Sequence, residues 1–172
     1  MERQANMNPV FRRRSIRKFT SVPVSRDHLD DLLRAGLCAP SARNKQPWYF
    51  IVIEERRLLD AVPRFHPYAS MIREAPLAIV VCGDLSVESN PGYLAQNCAA
   101  ATENILVTAA HLGLGAVWLG VYPRQERMQG LKQLLNLPGH VIPVTLIVIG
   151  HPAEKKPPHD DFDMNKVRFN TW

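Results

Sequence analysis

Arg13, Ser15 and Arg17 alternate along the segment Arg13-Arg14-Ser15-Ile16-Arg17, so an extended backbone there would turn all three to one face and Ile16 to the other. Between Arg13 and Arg17 such a strand covers roughly 13 Å, at about 3.3 Å per residue. One end could then meet a phosphate, which fits the planar guanidinium fork, while the other meets a flat anionic ring. The same charges also describe a solvated basic patch, or a surface that holds nucleic acid through its phosphates. The segment by itself leaves all three readings open.

Two further segments carry groups suited to binding. In Pro40-Ser41-Ala42-Arg43-Asn44-Lys45-Gln46-Pro47-Trp48, the amide of Asn44 offers both donors and an acceptor, the pattern needed at the edge of a heterocycle. Read alone, this is a polar loop. In Trp118-Leu119-Gly120-Val121-Tyr122-Pro123, the glycine ends an apolar run at a point where backbone could approach a ligand closely. Phe65, His66, Tyr68 and Tyr122 are aromatic candidates for a substrate side, each equally readable as core or surface.

Several chemistries have no motif here. The sequence contains no G-x-x-x-x-G-K-[ST], no H-E-x-x-H, no G-x-S-x-G and no Cys/His set at zinc spacing. Gly113, Gly115 and Gly120 have the wrong spacing for a dinucleotide fingerprint and lie after a helix rather than after a strand. His151, His159, Asp160 and Asp161 read as a polar tail rather than a metal site.

The elements that must position these residues follow from hydrophobic periodicity. Ser25 can cap a helix whose Leu29, Leu32, Leu33 and Leu37 form one stripe. Strands are expected at Trp48–Ile53, Leu77–Cys82, Ala116–Leu119 and Val144–Ile149, the second apolar on both faces and therefore covered on both. Short helices are expected at Arg57–Val62, Tyr68–Glu74 and Gln125–Leu135. Between Asn90-Pro91-Gly92 and Leu112-Gly113 lie about twenty residues, about 30 Å as a helix. Its Ala-rich, all-round apolar surface asks for partners on every side. Gln96, Asn97, Glu103, Asn104 and His111 interrupt it too often for a membrane span. This order is not a βαβ alternation, so the expected class is α+β with a mixed, largely antiparallel sheet.

A chain of 172 residues with 46% apolar content suits a single domain, 1–172, with a real core. The +5 charge is local, since Arg3, Arg12, Arg13, Arg14, Arg17 and Lys18 face only Glu2 among the first twenty residues. Cys38, Cys82 and Cys98 form no C-x-x-C pair and are expected as buried free thiols in a reducing compartment. No apolar stretch follows the basic start, so no secretory signal is expected and the cytoplasm is the expected location. An Arg-rich organelle presequence is less easily excluded, with Glu2 counting against it.

Taken together, Arg-Arg-Ser-Ile-Arg-x-Phe from Arg13, Ala-Pro-Ser-Ala-x-Asn-x-Gln-Pro-Trp from Ala39, Gly-Leu-Gly-x-x-Trp-Leu-Gly from Gly113, Glu74 to Asp84, the Ala-rich helix and Ile149-Gly150-His151-Pro152 resemble the FMN-dependent nitroreductase family. The resemblance covers nearly the whole chain. It implies a sheet flanked by helices, an intertwined homodimer, and a C-terminal arm over residues 151–172 docking on the partner. It also implies bound FMN taking hydride from NADH or NADPH and passing it to a small-molecule acceptor, a nitroaromatic, quinone or similar electrophile, in a ping-pong cycle. Neither nucleic acid nor a membrane is an expected partner.

By the same resemblance, Arg13, Arg14 and Ser15 hold the FMN phosphate and ribityl chain, and Arg17 lies at flavin N1 and O2. Asn44 meets the pyrimidine edge with Ser41 and Gln46 in support, and a backbone N–H at Gly120 or its neighbour Leu119 reaches N5. No protein side chain is catalytic in that scheme. The arm departs from the family by reading Pro158-His159-Asp160-Asp161-Phe162 where basic residues are usual, which leaves Lys155 and Lys156 as candidate phosphate contacts. Asn97 stands where many relatives carry an acid, with helix packing as its expected role. The alternatives are a same-fold flavoenzyme for reductive dehalogenation, dehydrogenation or flavin breakdown, and a polyanion-binding domain.

Overall fold

The structure, a computed structural model, describes residues 8–159 and 162–172; Arg3, Asp160 and Asp161 lie outside them. After a short helix α1 (Pro9–Arg12), the order is α2 (Arg26–Leu37), β1 (Trp48–Ile53), α3 (Arg56–Ala61), β2 (Leu77–Asp84), α4 (Pro91–His111), β3 (Gly115–Gly120), α5 (Gln125–Leu135) and β4 (Val141–Gly150). A 3-10 turn at Val62–Arg64 follows α3, and another at Ser70–Arg73 stands where a helix over Tyr68–Glu74 is expected from sequence. The strands form one sheet in the order β1-β2-β4-β3, with every pair antiparallel. The expected parallel component is confined to an isolated bridge between Ser15 and Ala116 on the outer edge of β3.

Burial explains the layering. All eight residues of β2 are buried, and alternation sends Ala78, Val80 and Cys82 to one core and Leu77, Ile79 and Val81 to the other. Leu29 and Leu32 of α2 and Cys98, Ala101 and Ile105 of α4 close the second core. Leu59 of α3, Val62, Ile72 and Leu131 of α5 close the first. The α2 stripe is shorter than its leucines suggest: Leu37 is 53% exposed, and Gly36 takes the buried place, where an added Cβ would stand 2.8 Å from the Phe50 ring.

Helix α4 is capped by Asn90, whose side chain accepts the N–H groups of Gly92 and Tyr93, and it ends before Gly113 at φ +75°. Its buried residues, from Leu94 through Cys98, Ala101, Ile105 and Ala109, recur at three- and four-residue steps. Only that face is covered within one chain; Ala95, Ala99 and Val107 on the other side are half-buried. Cys82 and Cys98 are buried thiols pushed up to about 12 by desolvation, whereas Cys38, at the C-terminus of α2, is exposed, contrary to expectation. None of the helices among the described residues is long and apolar enough to cross a membrane.

Gly130 in α5 decides how closely that helix approaches the loop that carries His66. A Cβ there would overlap Phe65 Cγ, the base of the ring. Ala for Gly inside a helix ordinarily stabilises by up to about 1 kcal/mol. Here the clash outweighs it, and Gly130→Ala should destabilise by roughly 1–3 kcal/mol, read as a lower urea midpoint at unchanged slope.

Candidate active site

The basic segment is held on both sides by backbone. The Ile16 N–H donates to Ala116 O at 3.0 Å on the β3 edge, and Ile16 is buried against Gly115, where a Cβ would stand 2.8 Å from Ile16 Cγ2. On its other side runs the C-terminal arm. Thr20 N–H donates to His151 O at 2.9 Å, Ala153 N–H to Lys18 O at 2.8 Å and His159 N–H to Phe11 O at 3.0 Å. Arg14 Nη1 donates to Pro157 O.

Among the cations sits one carboxylate that sequence reading missed. Glu154 Oε1 accepts the Arg17 N–H at 2.5 Å and pairs with Lys156 Nζ at 3.4 Å. The Arg17 N–H and then the Lys156 charge hold its carboxyl below the usual range. Lys156 Nζ also donates to Ser15 O at 2.6 Å. Arg13 Nε pairs with Glu103 of α4 at 3.2 Å. The acids therefore fix the outline of the segment and leave its charge in excess.

Two cavities meet at Arg17. One, of about 300 Å³, is lined by Arg13, Arg14, Ser15, Arg17, Lys156 and His159. Arg13, Ser15 and Arg17 all line it while Ile16 packs in the core, as the alternation predicts, but Arg14 lines it too, so the lining is not strictly alternate. The second, of about 450 Å³, is lined among others by Arg17, His66, Tyr68, Trp118, Leu119 and Gly120. Of the two lysines only Lys156 reaches the first; Lys155 lines a neighbouring cavity with Arg12 and Arg13. Of the aromatic candidates, His66 and Tyr68 line the second cavity. Phe65 packs in the core and Tyr122 lines a different hollow beside Leu94.

Gly120 lies at the end of the outer edge of β3, beyond the part that Ile16 covers. In an antiparallel strand alternate residues direct both N–H and C=O to the same side. Because Ala116 O is turned outward to Ile16, Gly120 is turned outward too. Its carbonyl accepts Arg127 Nη1 at 2.6 Å and pairs with His66 Nε2 at 3.1 Å. With Gly120 O as its partner, Nε2 carries the proton and His66 Nδ1 is left buried without a partner. Burial first, then the Arg127 charge, lowers His66 below its ordinary 6.5, so the ring is neutral near pH 7.

The loop with Ser41, Asn44 and Gln46 is built for a fixed shape but stands apart. Arg43, Asn44 and Gln46 all adopt left-handed backbone, at φ 55°, 53° and 48°, a cost that anchors must offset. Ser41 Oγ accepts Gln46 N–H at 2.9 Å, and Asn97 Oδ1 accepts Ala42 N–H at 3.0 Å. Asn97 thus holds the loop, rather than serving helix packing alone. Buried Glu88 pairs with Lys45 at 3.2 Å and Arg43 at 3.4 Å. Its carboxyl is held low by the Asn90 N–H first, then by Lys45 and Arg43. The register Gly120–Thr145–Val81–Phe50 runs across the whole sheet, so this loop, which feeds β1, lies at the opposite edge. Three strand spacings separate the two edges, about 14 Å. Neither cavity at Arg17 is lined by Ser41, Asn44 or Gln46.

Comparison with known proteins gives the family. A model of the nitroreductase family matches residues 10–66 and 64–151. The chain is a member of the nitroreductase family. A relative from Methanothermobacter thermautotrophicus, provisionally named an NADH dehydrogenase/NAD(P)H nitroreductase, is 45% identical over 96% of this chain and 87% of its own length. The FMN-dependent nitroreductase of Clostridium difficile superposes with a TM-score of 0.89 at 31% identity, over 96% of this chain and all of that one. A provisionally named nitroreductase from Desulfovibrio desulfuricans, crystallised with FMN, gives 0.82 at 31% identity over 97% and 99%.

For this nitroreductase, His66 predicts a pH signature. The unfolded chain takes up the proton nearer pH 6.5 while the folded chain resists it, so His66 lowers stability as pH drops below about 6.5. His66→Gln keeps a donor without that titration. Between pH 7 and 5.5 the urea midpoint of the wild type should fall more than that of the variant; parallel curves would sink the assignment.

Proposed function

We propose that this nitroreductase is an FMN-dependent oxidoreductase that takes electrons from NADH or NADPH and delivers them to small electrophiles such as nitroaromatics and quinones. The single observation that carries the reading is the pair of cavities joined at Arg17: one lined mostly by cations, as a phosphate would need, and a larger one reaching the outward edge of Gly120. The donor set fits FMN. Arg13, Arg14, Ser15 and Lys156 would hold the phosphate and ribityl chain by charge-assisted hydrogen bonds, with Lys155 nearby. Apart from its chain neighbours, a Cβ at Gly120 would meet no protein atom within 4 Å, so the space beside this glycine is open to a ligand.

When bound, FMN supplies the electron transfer in two half-reactions, accepting hydride from the nicotinamide and passing it to the acceptor. The chain binds, orients and tunes. Arg17 would sit at N1 and O2 of the ring, where a fixed positive charge favours the reduced, negatively charged form. The Gly120 N–H, or that of a neighbouring residue, would donate to N5.

Asn44, with Ser41 and Gln46, would meet the ring from a second copy of the chain, since within one chain this loop lies across the sheet. The open side of α4 and the exposed aromatic end of the arm, with Phe162, Phe169 and Trp172 at 78, 73 and 101% exposure, support a homodimer in which the arm docks on the partner.

The purified protein should be yellow, be bleached anaerobically by NADH or NADPH, and regain colour with a nitroaromatic or quinone; a colourless protein that takes up no FMN would overturn the reading. Arg13→Ala should weaken FMN binding about 10- to 100-fold, as expected for a lost charged contact, whereas loss of salt-sensitive nucleic-acid binding with flavin binding unchanged would favour a polyanion binder. Gly120→Val should reduce FMN affinity while changing stability, read from the urea midpoint at unchanged slope, by no more than about 0.5 kcal/mol.

A further inference from the structure

Beyond the proposed flavin contacts, the second cavity holds a guanidinium that the scheme does not use. Arg127, in the first turn of α5, is half-buried. Its Nη1 is fixed on Gly120 O at 2.6 Å, and its Cζ stands 5.5 Å from the centroid of the Tyr68 ring. Two constraints from different directions restrict its pose, so less conformational entropy remains to be lost when a ligand arrives. Among the described residues no carboxylate is paired with Arg127, and no acidic residue lines the cavity. Neutral His66 adds no counter-charge, and Arg17 adds a second positive one.

The remaining N–H groups of Arg127 therefore offer a fork without an anion, beside an aromatic face that is 69% exposed at Tyr68. A fork of this kind recognises a carboxylate or phosphate oxygen pair, and the adjoining ring favours a planar partner. Arg17 is differently held, with only a 3.5 Å contact from its Nη1 to Ser15 O, and it stands where the two cavities meet.

We propose that Arg127 and Tyr68 form a specificity subsite for an anionic group carried on a planar ring, and that its occupant is the electron acceptor, a carboxylate-bearing aromatic electrophile. The assignment rests on the flavin reading above, because that reading brings acceptors to the Gly120 cavity. The same anion chemistry could be presented by the phosphate of NADPH, and the experiment separates the two sources.

4-Nitrobenzoate and 4-nitrobenzamide differ in charge but hardly in shape. In the FMN-loaded wild type, kcat/KM should favour the carboxylate by about tenfold, the size of discrimination that a site built for a charged group can deliver. Arg127→Gln, which keeps a donor for Gly120 O, should bring the ratio to within about twofold of one. Arg127→Lys should retain part of the preference, since the charge stays and the fork is lost. Calorimetric titration of the same proteins with benzoate and benzamide, which cannot be reduced, should give the same order in Kd.

A wild-type ratio near one, or a ratio unmoved in Arg127→Gln, overturns the subsite. So does a variant that changes only its preference for NADPH over NADH, which assigns the guanidinium to the nucleotide phosphate. A yellow protein that reduces both nitro compounds equally sinks the subsite and leaves the flavin reading standing, whereas a protein that binds no FMN sinks both.

Discussion

The candidate site depends on the outer edge of β3 being occupied by something other than a strand. Along its first half the edge takes the Ile16 N–H, which fixes a run of arginines in extended form. Along its second half the edge is met by side chains, His66 and Arg127 on one carbonyl. Close packing of like charges would open such a segment if backbone did not hold it. Arm residues His151 to His159 close it from the other side through their own hydrogen bonds, and among the described residues Glu154 supplies the carboxylate that bonds its backbone. The cation cluster is thus an edge feature of the sheet, built by main-chain geometry before any ligand contributes.

Much of this was legible in sequence because periodicity and hydrophobic alternation are local. The strands, α2, α4 and α5 stand where the patterns put them, and the alternation of Arg13, Ser15 and Arg17 against Ile16 needed only an extended backbone. The residues that were missed work over long range. Glu154, Arg127 and Glu88 lie 137, 7 and 45 positions from Arg17, Gly120 and Arg43, their partners. Nothing in their own neighbourhoods marks them. Arg127 is the near case, but its partner is a carbonyl, which any residue type could provide. Leu37 and Cys38 depart for a simpler reason: at the end of α2 it is Gly36 that faces Phe50, and the two residues after it are left exposed.

The loop at Ser41–Gln46 shows the same limit in another form. Its residue types signal binding, yet the order of the strands places it at the far edge from Gly120, and strand order is invisible to a reading of single segments. Its backbone strain is offset by Asn97 and by the buried Glu88, groups that belong to α4 and the turn before it. Helix α4 therefore serves both halves, holding this loop near its start and pairing with Arg13 at Glu103.

The fully engaged carbonyl of Gly120 has a further consequence for how the molecule behaves in company. An uncovered edge strand is a template on which another chain can add by backbone pairing. A carbonyl oxygen has two lone pairs, and both are committed here to side chains that cannot be extended into a ladder. With Ile16 covering the strand upstream, β3 offers an incoming strand no continuous row of acceptors. The geometry that shapes the cavity also makes this side of the sheet a poor nucleus for aggregation.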